Sequence, residues 1–232
     1  MTKRKLERFT EMAHFRNVLQ PGFDEVFGRK HPIMGKWHDT FFGNDNPIVI
    51  ELGCGKGEYT VGLAKKFPEK NFIGIDIKGS RMWRGAKSAI EENLKNTGFL
   101  RTRIEFINSF FDKDEVDEIW LTFPDPQPKK SNKRLSSCRF LNMYSNFLKQ
   151  EGYIHLKTDS ELLYSYTLNI AKHNRFFIDI STKDLYQSGM LNDELVIQTY
   201  YEKGFLEEGR NIYYLKMKLP ETGIINELPD YE

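Results

Sequence analysis

Short apolar runs alternate with helical patterns along most of this chain, from about residue 47 to residue 219. The runs are rich in β-branched and aromatic residues and are typical of buried strands. Strands that alternate with helices indicate a mostly parallel sheet with helices on both faces. We therefore predict an α/β, doubly wound fold with seven strands, which are PIVIEL, NFIGIDI, RIEFIN, EIWLTF, GYIHLKT, RFFIDIST and NIYYLKMKL.

The 232 residues suffice for one sizeable core, and the pattern divides them into three segments. Residues 1–46 show no clean period and are predicted to be a basic N-terminal extension that contacts a polyanion or is partly disordered. Residues 47–220 hold the alternating pattern and form the main domain. Residues 221–232 form an acidic C-terminal tail.

Composition excludes several classes of protein. The two cysteines form no CxxC motif and the five histidines show no ligand spacing, so we expect no metal site. The N-terminus lacks the apolar run of a signal peptide and no stretch approaches a membrane span, so we expect a cytoplasmic protein with no membrane partner. The pattern is equally compatible with a monomer and a homodimer.

Unusual residues follow the predicted strands. Doubly wound sheets bind ligands at the carboxyl ends of their strands, which places a candidate site at that edge. The residues found there are the glycines of ELGCGKGE after the first strand, Asp76 at the end of the second, Asn108 at the end of the third, Asp125 after the fourth and Asp159 after the fifth.

The glycine turn indicates a nucleotide-like ligand. Its glycines permit positive φ angles and close approach of the backbone. A dinucleotide-binding turn has a third glycine where this chain has Glu58, and Glu51 at the strand end would repel a pyrophosphate. Asp76 is placed to accept hydrogen bonds from ribose hydroxyls, and Asn108 could reach an adenine ring. These features favour S-adenosylmethionine over NAD. The glycines are Gly53, Gly55 and Gly57.

The segment LTFPDPQPKKSNKRLS holds an acid between two prolines, followed by a run of cations. Proline restricts its own φ angle and the conformation of the residue before it, so Asp125 should have little backbone freedom. The cations are suited to phosphates, which give affinity and position rather than specificity. We predict that the acid faces a base while the cations bind a nucleic-acid backbone. The cations are Lys129, Lys130, Lys133 and Arg134.

Taken together, the motifs resemble the bacterial tRNA (guanine-N7-)-methyltransferases over about residues 50–218. They are GCGKG, FIGIDI, FPDPQPKK with the following Lys-Arg pair, HLKTDS and TYYEKGF. The resemblance implies the Rossmann-like class I methyltransferase fold in residues 47–220 and S-adenosyl-L-methionine as cofactor. It implies cofactor contacts from Glu51, Gly53, Gly55, Gly57, Asp76 and Asn108, a catalytic Asp125, substrate contacts from Lys129, Asp159, Thr199 and Glu202, and RNA contacts from Lys130, Lys133 and Arg134.

The resemblance also implies the reaction, which is methyl transfer to N7 of a guanosine in tRNA, at guanosine 46 of the variable loop. Gln127 departs from the pattern, since the family usually has Trp there. Asn108 stands where many members have Asp. Three alternatives stay open: an NAD(P)-dependent oxidoreductase, an RNA-binding protein with a methyltransferase fold, and a methyltransferase with another nucleic-acid acceptor. Without the resemblance, Thr199 and Glu202 read as a helix start with a first-turn acid.

Overall fold

The computed structural model describes residues 3–229, and the chain forms two compact units, residues 1–112 and 113–232. The first unit contains strands β1 (Val18–Leu19), β2 (Ile48–Leu52), β3 (Asn71–Asp76) and β4 (Thr97–Arg101) and helices α1 (Lys3–Met12), α2 (Phe23–Val26), α3 (Glu58–Lys66) and α4 (Gly79–Glu91). A π-helical turn spans Trp37–Phe42, and a 3₁₀ helix spans Ile104–Ser109.

Within the first unit all strand pairs are parallel, in the order β1-β4-β3-β2. Every residue of β2 is buried, as expected for a strand covered on both faces. Gly98 of β4 lies under the π-helical turn, where a Cβ atom would stand 2.5 Å from the Phe41 ring. Parallel pairing aligns the carboxyl ends of β2 and β3, which brings the glycine turn next to Asp76.

The second unit has strands β5 (Val116–Thr122), β6 (Leu148–Thr158), β7 (Phe177–Thr182) and β8 (Tyr213–Lys218). Its helices are α5 (Cys138–Tyr144), α6 (Glu161–His173) and α7 (Tyr200–Glu207), with a 3₁₀ helix at Ser131–Lys133. β5 and β6 are parallel, and β8 runs antiparallel to both β6 and β7. The α/β, mostly parallel fold that the alternating pattern predicted is therefore confirmed.

One predicted strand is wrong. RIEFIN lies in the 3₁₀ helix Ile104–Ser109, and the strand of this region is β4, TGFLR. Ile104 and Ile107 are three residues apart. This spacing places them on one side of a 3₁₀ helix, whereas in a strand they would lie on opposite faces. Gly98 weakens the strand signal of β4, because glycine is depleted in strands. Residues 3–229 also contain the short strand β1 in addition to the predicted positions.

Within the first unit, helix α1 and the residue before β1 are hydrogen-bonded to helix α4. Glu11 of α1 accepts hydrogen bonds from the Trp83 indole and the Lys87 ammonium of α4, both at 2.7 Å. The bond from Lys87, followed by that from Trp83, lowers the pKa of the Glu11 carboxyl. Asn17, just before β1, donates to the Ala86 carbonyl. Residues 1 and 2 of the predicted basic extension lie outside the described residues.

Residues 225 and 226, near the described end of the chain, are hydrogen-bonded to α5 and to the residue that follows α6. Asn142 of α5 exchanges two hydrogen bonds with the backbone of Ile225, and Asn174 does the same with Asn226. Residues 230–232 of the predicted acidic tail lie outside the described residues. The predicted boundaries at 46/47 and 220/221 stay predictions. Within residues 3–229 no helix is both long and apolar enough to cross a membrane.

Candidate active site

The glycine turn after β2 has one packed face and one open face. Gly53, Gly55 and Gly57 have φ angles of 78°, 55° and 72°, a region that glycine enters without strain. A Cβ atom on Gly57 would lie 2.7 Å from the Phe99 ring and 3.2 Å from Cα of Gly85. On Gly55, it would have one described neighbour within reach, the Gly53 oxygen at 4.0 Å. The turn is thus packed at Gly57 and open to a bound molecule at Gly55.

Asp76, predicted to bind ribose, also braces the turn. Its Oδ2 accepts a hydrogen bond from the Gly55 N–H at 3.0 Å, and its Oδ1 accepts one from the Lys78 N–H at 2.7 Å. The side chain is partly exposed at the end of β3. Two backbone donors therefore fix the orientation of a carboxylate that still reaches the surface.

Glu51, the other predicted cofactor acid, is buried at 4% exposure. Its Oε2 accepts a hydrogen bond from the Thr60 N–H at 2.9 Å and a short one from the Thr60 hydroxyl. Thr60 lies in the first turn of α3, where backbone N–H groups have no partner within the helix. Glu51 therefore satisfies the N-terminus of α3 and places negative charge beneath the glycine turn.

The electrostatics of the turn favour a cationic ligand. Burial raises the pKa of the Cys54 thiol well above its ordinary value, and the charges of Glu51 and Asp76 raise it further. Both carboxylates lie near this thiol, and their charges make the surroundings of the turn negative. Such a potential disfavours pyrophosphate and suits a sulfonium or ammonium group.

Asn108 does not end a strand, contrary to the prediction, because it lies in the 3₁₀ helix that follows β4. Its Oδ1 atom is buried and makes no hydrogen bond to the residues that the structure describes. A buried polar atom without a partner costs free energy, which a polar group of a ligand would recover. The open glycine turn, the two acids and this orphaned oxygen together fit S-adenosylmethionine.

Asp125, the predicted catalytic acid, lies exposed in the loop after β5. Gln127 donates to both carboxylate oxygens, from its backbone N–H to Oδ1 at 3.0 Å and from its side-chain amide to Oδ2 at 2.9 Å. Gln127 itself has a φ angle of 44°, and Phe123 one of 48°, both unusual for residues other than glycine. The acid is therefore held by Gln127 in addition to its flanking prolines.

The cations after this loop fall into two groups. Arg134 is buried at 3% exposure, its Nε donates to the Pro126 carbonyl at 3.0 Å, and its guanidinium lies 4.3 Å from the centre of the Tyr166 ring. Arg134 thus supports the loop that carries Asp125, and its predicted RNA contact stays a prediction. The exposed cations are Lys129, Lys130 and Lys133.

Asp159 follows β6 and forms an ion pair with Arg210. The Arg210 guanidinium lies 4.4 Å from the centre of the Phe205 ring, and Phe205 in turn packs against Phe123 with ring centres 5.7 Å apart. This row of contacts connects the ends of β5 and β6, each of which is followed by a predicted functional acid.

Thr199 and Glu202 begin α7. The Thr199 hydroxyl accepts a hydrogen bond from the Glu202 N–H at 3.2 Å, which is the usual contact of a helix-capping threonine. Glu202 is fully buried and its Oε1 lies 2.7 Å from the Lys157 ammonium. The helix-start interpretation is confirmed, and direct substrate contacts from these two residues stay predictions.

Sequence reasoning missed three contacts of the predicted site residues, namely those of Lys157 with Glu202, of Arg210 with Asp159 and of Gln127 with Asp125. Lys157 had a signal, because it is a cation within the apolar run GYIHLKT, where a buried charge needs a partner. Gln127 departs from the family pattern, which usually has Trp there, but the sequence alone gives it no role. Arg210 stands far along the chain from Asp159, and only the fold brings the two together.

Comparison with solved structures shows the same fold in known proteins. The 16S rRNA methyltransferase KamB superposes with a TM-score of 0.61 at 12% identity, covering 78% of this chain and 92% of that one. A SAM-dependent methyltransferase from Aquifex aeolicus gives a TM-score of 0.53 at 14% identity, covering 80% and 89%. The fold is that of the class I S-adenosylmethionine-dependent methyltransferases.

Sequence comparison gives the family. The model of a family described as "Putative methyltransferase" matches residues 45–215. A tRNA (guanine-N(7)-)-methyltransferase of Bacteroides thetaiotaomicron is 51% identical over 232 residues, covering all of this chain and 92% of the relative. The chain belongs to the tRNA (guanine-N(7)-)-methyltransferase family.

Proposed function

We propose that the protein transfers the methyl group of S-adenosylmethionine to N7 of a guanosine in tRNA, at guanosine 46 of the variable loop, and that it does so in the cytoplasm. The observation that carries this proposal is 51% identity to a tRNA (guanine-N(7)-)-methyltransferase over the whole chain. The motif residues support it, since the glycines, the cations and the acids Glu51, Asp76, Asp125 and Asp159 expected of such an enzyme are present.

In this proposal the first unit binds the methyl donor. Asp76 accepts hydrogen bonds from the ribose hydroxyls, Asn108 offers its orphaned Oδ1 to the adenine, and the backbone of the open glycine turn contacts the amino-acid portion. Glu51 contributes negative charge that favours the ammonium and sulfonium groups. When bound, S-adenosylmethionine supplies an electrophilic methyl group.

The second unit binds the acceptor. Guanine N7 carries an in-plane lone pair and no proton, so the enzyme needs alignment rather than a strong base. Asp125 stabilises the positive charge that develops on the methylated base. Asp159 and Thr199 face the guanine, and Asp159 accepts hydrogen bonds from its N1–H and N2–H edge. Exposed lysines bind phosphates, with Lys129 nearest in sequence to the catalytic acid.

The test is incubation of the purified chain with S-adenosylmethionine and bulk tRNA from a strain that lacks 7-methylguanosine, followed by nucleoside mass spectrometry. We expect 7-methylguanosine, located at position 46 by fragment sequencing. A methylated nucleoside of another kind, or transfer to DNA in place of tRNA, would contradict the choice of acceptor. Binding of tRNA without any transfer of label would indicate an RNA-binding protein instead.

A further inference from the structure

Lys157 is a fully buried cation in β6 and connects that strand to the segment before α7. Its ammonium donates hydrogen bonds to the carbonyls of Leu195 at 2.8 Å and Ile197 at 3.0 Å. The same ammonium lies 2.7 Å from Oε1 of Glu202. One side chain thus holds two backbone positions of the segment and the first turn of α7.

Glu202 is equally buried, and its described contacts are all internal to the second unit. Oε1 accepts a hydrogen bond from the Tyr186 hydroxyl at 2.9 Å, and that hydroxyl accepts one from the Gln198 amide at 2.9 Å. The second oxygen, Oε2, is also buried and accepts no hydrogen bond from the residues that the structure describes. A substrate group could reach this carboxylate only if the packing around it changed.

The backbone of Lys157 extends the connection to the predicted catalytic loop. Its carbonyl accepts a hydrogen bond from the Phe123 N–H at 2.8 Å. Phe123 stands two residues before Asp125, and Asp159 stands two residues after Lys157. The acceptor is proposed to bind at Asp125, Asp159 and Thr199. Each of these residues stands two positions from Lys157 or from a residue that is hydrogen-bonded to Lys157.

We propose that Lys157 and Glu202 form a buried positioning pair, in which Glu202 supports the acceptor-binding residues through Lys157 and does not touch the substrate. This inference rests on the proposed function, because these residues matter only to the acceptor. Removing one partner of a buried ion pair leaves an uncompensated charge, whereas removing both charges together is often tolerated. The pair therefore makes a signature that a direct contact does not share.

That signature is suppression of one substitution by the other. In Lys157→Met the Glu202 carboxylate is left buried without its cation, so the segment Leu195–Thr199 should shift and the KM for tRNA should rise about tenfold or more. Glu202→Gln keeps an acceptor for Tyr186 and should raise the KM less. In the double variant no charge remains, and the Gln amide can donate where the ammonium did, so the KM should return to within about threefold of the wild type.

The measurements are kcat and KM for tRNA, the Kd for S-adenosylmethionine, and the thermal unfolding midpoint of each variant. The Kd is a check that the first unit stays folded. The matched control is Lys65→Met with Glu92→Gln, an ion pair of the first unit at 2.6 Å whose side chains are 46% and 41% exposed. An exposed pair contributes little, so neither control substitution should change the KM.

Two results would overturn the inference. If Glu202 contacts the substrate directly, adding Glu202→Gln to Lys157→Met makes the KM worse instead of restoring it. If the pair matters for stability alone, the unfolding midpoint of the variants falls while the KM of the folded fraction equals that of the wild type. Should Lys157→Met fail to fold, comparison of Glu202→Gln with the double variant still decides. A positioning pair predicts a lower KM in the double variant, whereas a lost substrate contact leaves the KM raised in both. A wild-type chain that transfers no methyl group to tRNA would overturn the proposed function and this inference with it.

Discussion

Gln127 binds both carboxylate oxygens of Asp125, with donor–acceptor distances of 3.0 Å and 2.9 Å. It does so from a left-handed backbone conformation, φ 44°, which costs a residue with a side chain on the order of 1–3 kcal/mol. The chain thus tolerates strain at the residue that orients the proposed catalytic acid. The two prolines restrict the backbone of Asp125, and Gln127 restricts its side chain.

Replacing Gln127 with Ala should lower kcat by about tenfold, because a hydrogen bond to a charged group contributes about 1.5–3 kcal/mol and only the side-chain bond is lost. The KM for S-adenosylmethionine should not change. Steady-state kinetics with unmodified tRNA measure both. Gln187→Ala, an exposed glutamine of the same unit, is the control and should behave as the wild type. Wild-type kcat in Gln127→Ala would show that the acid is held without the side-chain bond.

Asp125→Ala should have a much larger effect, with a loss of about a hundredfold or more in kcat, comparable to removal of a group that stabilises transition-state charge. S-adenosylmethionine should bind with unchanged Kd, since the proposed donor site lies in the first unit. Calorimetric titration and a labelled-methyl transfer assay give the two quantities. Asp125→Asn separates charge from hydrogen bonding, because the amide keeps an acceptor and loses the charge. Full turnover by the Ala variant would contradict the catalytic role.

Most strands of the fold were predictable because burial on both faces leaves an apolar run with turns at its ends. β2, β3 and β5 have this form. The strand at Thr97–Arg101 was missed because it contains Gly98, which lies too close to Phe41 for a side chain, a long-range relation that no local pattern contains. The helices and π-helical turn before residue 46 are likewise stabilised by partners far along the chain, such as Glu11 with Trp83.

Site residues could be predicted where the residue type itself determines the chemistry. Their exposure and their tertiary contacts could not, because these depend on packing. The glycines and Asp76 were placed correctly beside one another because parallel strands align their carboxyl ends. Exposure could not be read from the sequence: Lys133 and Arg134 are adjacent cations, yet one is exposed and the other packs on Tyr166. The pairing of Asp159 with Arg210 depends on tertiary structure alone.

The two glycines of the turn should respond differently to alanine. Gly57→Ala places a methyl group 2.7 Å from the Phe99 ring in addition to the strain of positive φ, so stability should fall by several kcal/mol. Gly55→Ala meets no such obstacle and should cost only about 1–2 kcal/mol for its backbone conformation. Its affinity for S-adenosylmethionine should nevertheless fall, since the methyl group fills the open face. Chemical denaturation and calorimetry measure these effects, and equal destabilisation by both would contradict them.

The exposed and buried cations should separate in a salt titration. Replacing Lys129, Lys130 and Lys133 with Gln should weaken tRNA binding. The slope of log affinity against log salt concentration should fall in magnitude by about two to three, because each phosphate contact contributes roughly 0.7–0.9 to it. The fold should be unaffected. Three exposed lysines elsewhere, Lys36, Lys95 and Lys172, form the matched control. A slope equal in the two triple variants would show that the basic run does not bind phosphates.

Arg134→Gln should act mainly on stability and kcat, because the buried guanidinium packs on Tyr166 and its Nε supports the Pro126 carbonyl in the Asp125 loop. We expect an unfolding free energy lower by about 2–4 kcal/mol, as for other broken buried polar contacts. The salt slope of tRNA binding should stay that of the wild type. A flattened slope with unchanged stability would instead support the direct RNA contact that the sequence predicted.

Cys138 should make folding stability depend on alkaline pH. Burial, followed by the charge of Glu227, raises the pKa of its thiol from 9.0 to about 12. Between these two pH values the unfolded chain has lost a proton that the folded chain keeps, so the thiol's contribution to stability is present below pH 9 and declines as the pH rises above it.

Site-resolved alkylation with iodoacetamide, read by peptide mass spectrometry, should find Cys138 unreactive in the folded chain at pH 9 and reactive in denaturant. Glu227→Gln keeps an acceptor for the Tyr166 hydroxyl and removes the charge, so alkylation should become faster. Equal rates in the folded and unfolded wild type would contradict the raised pKa.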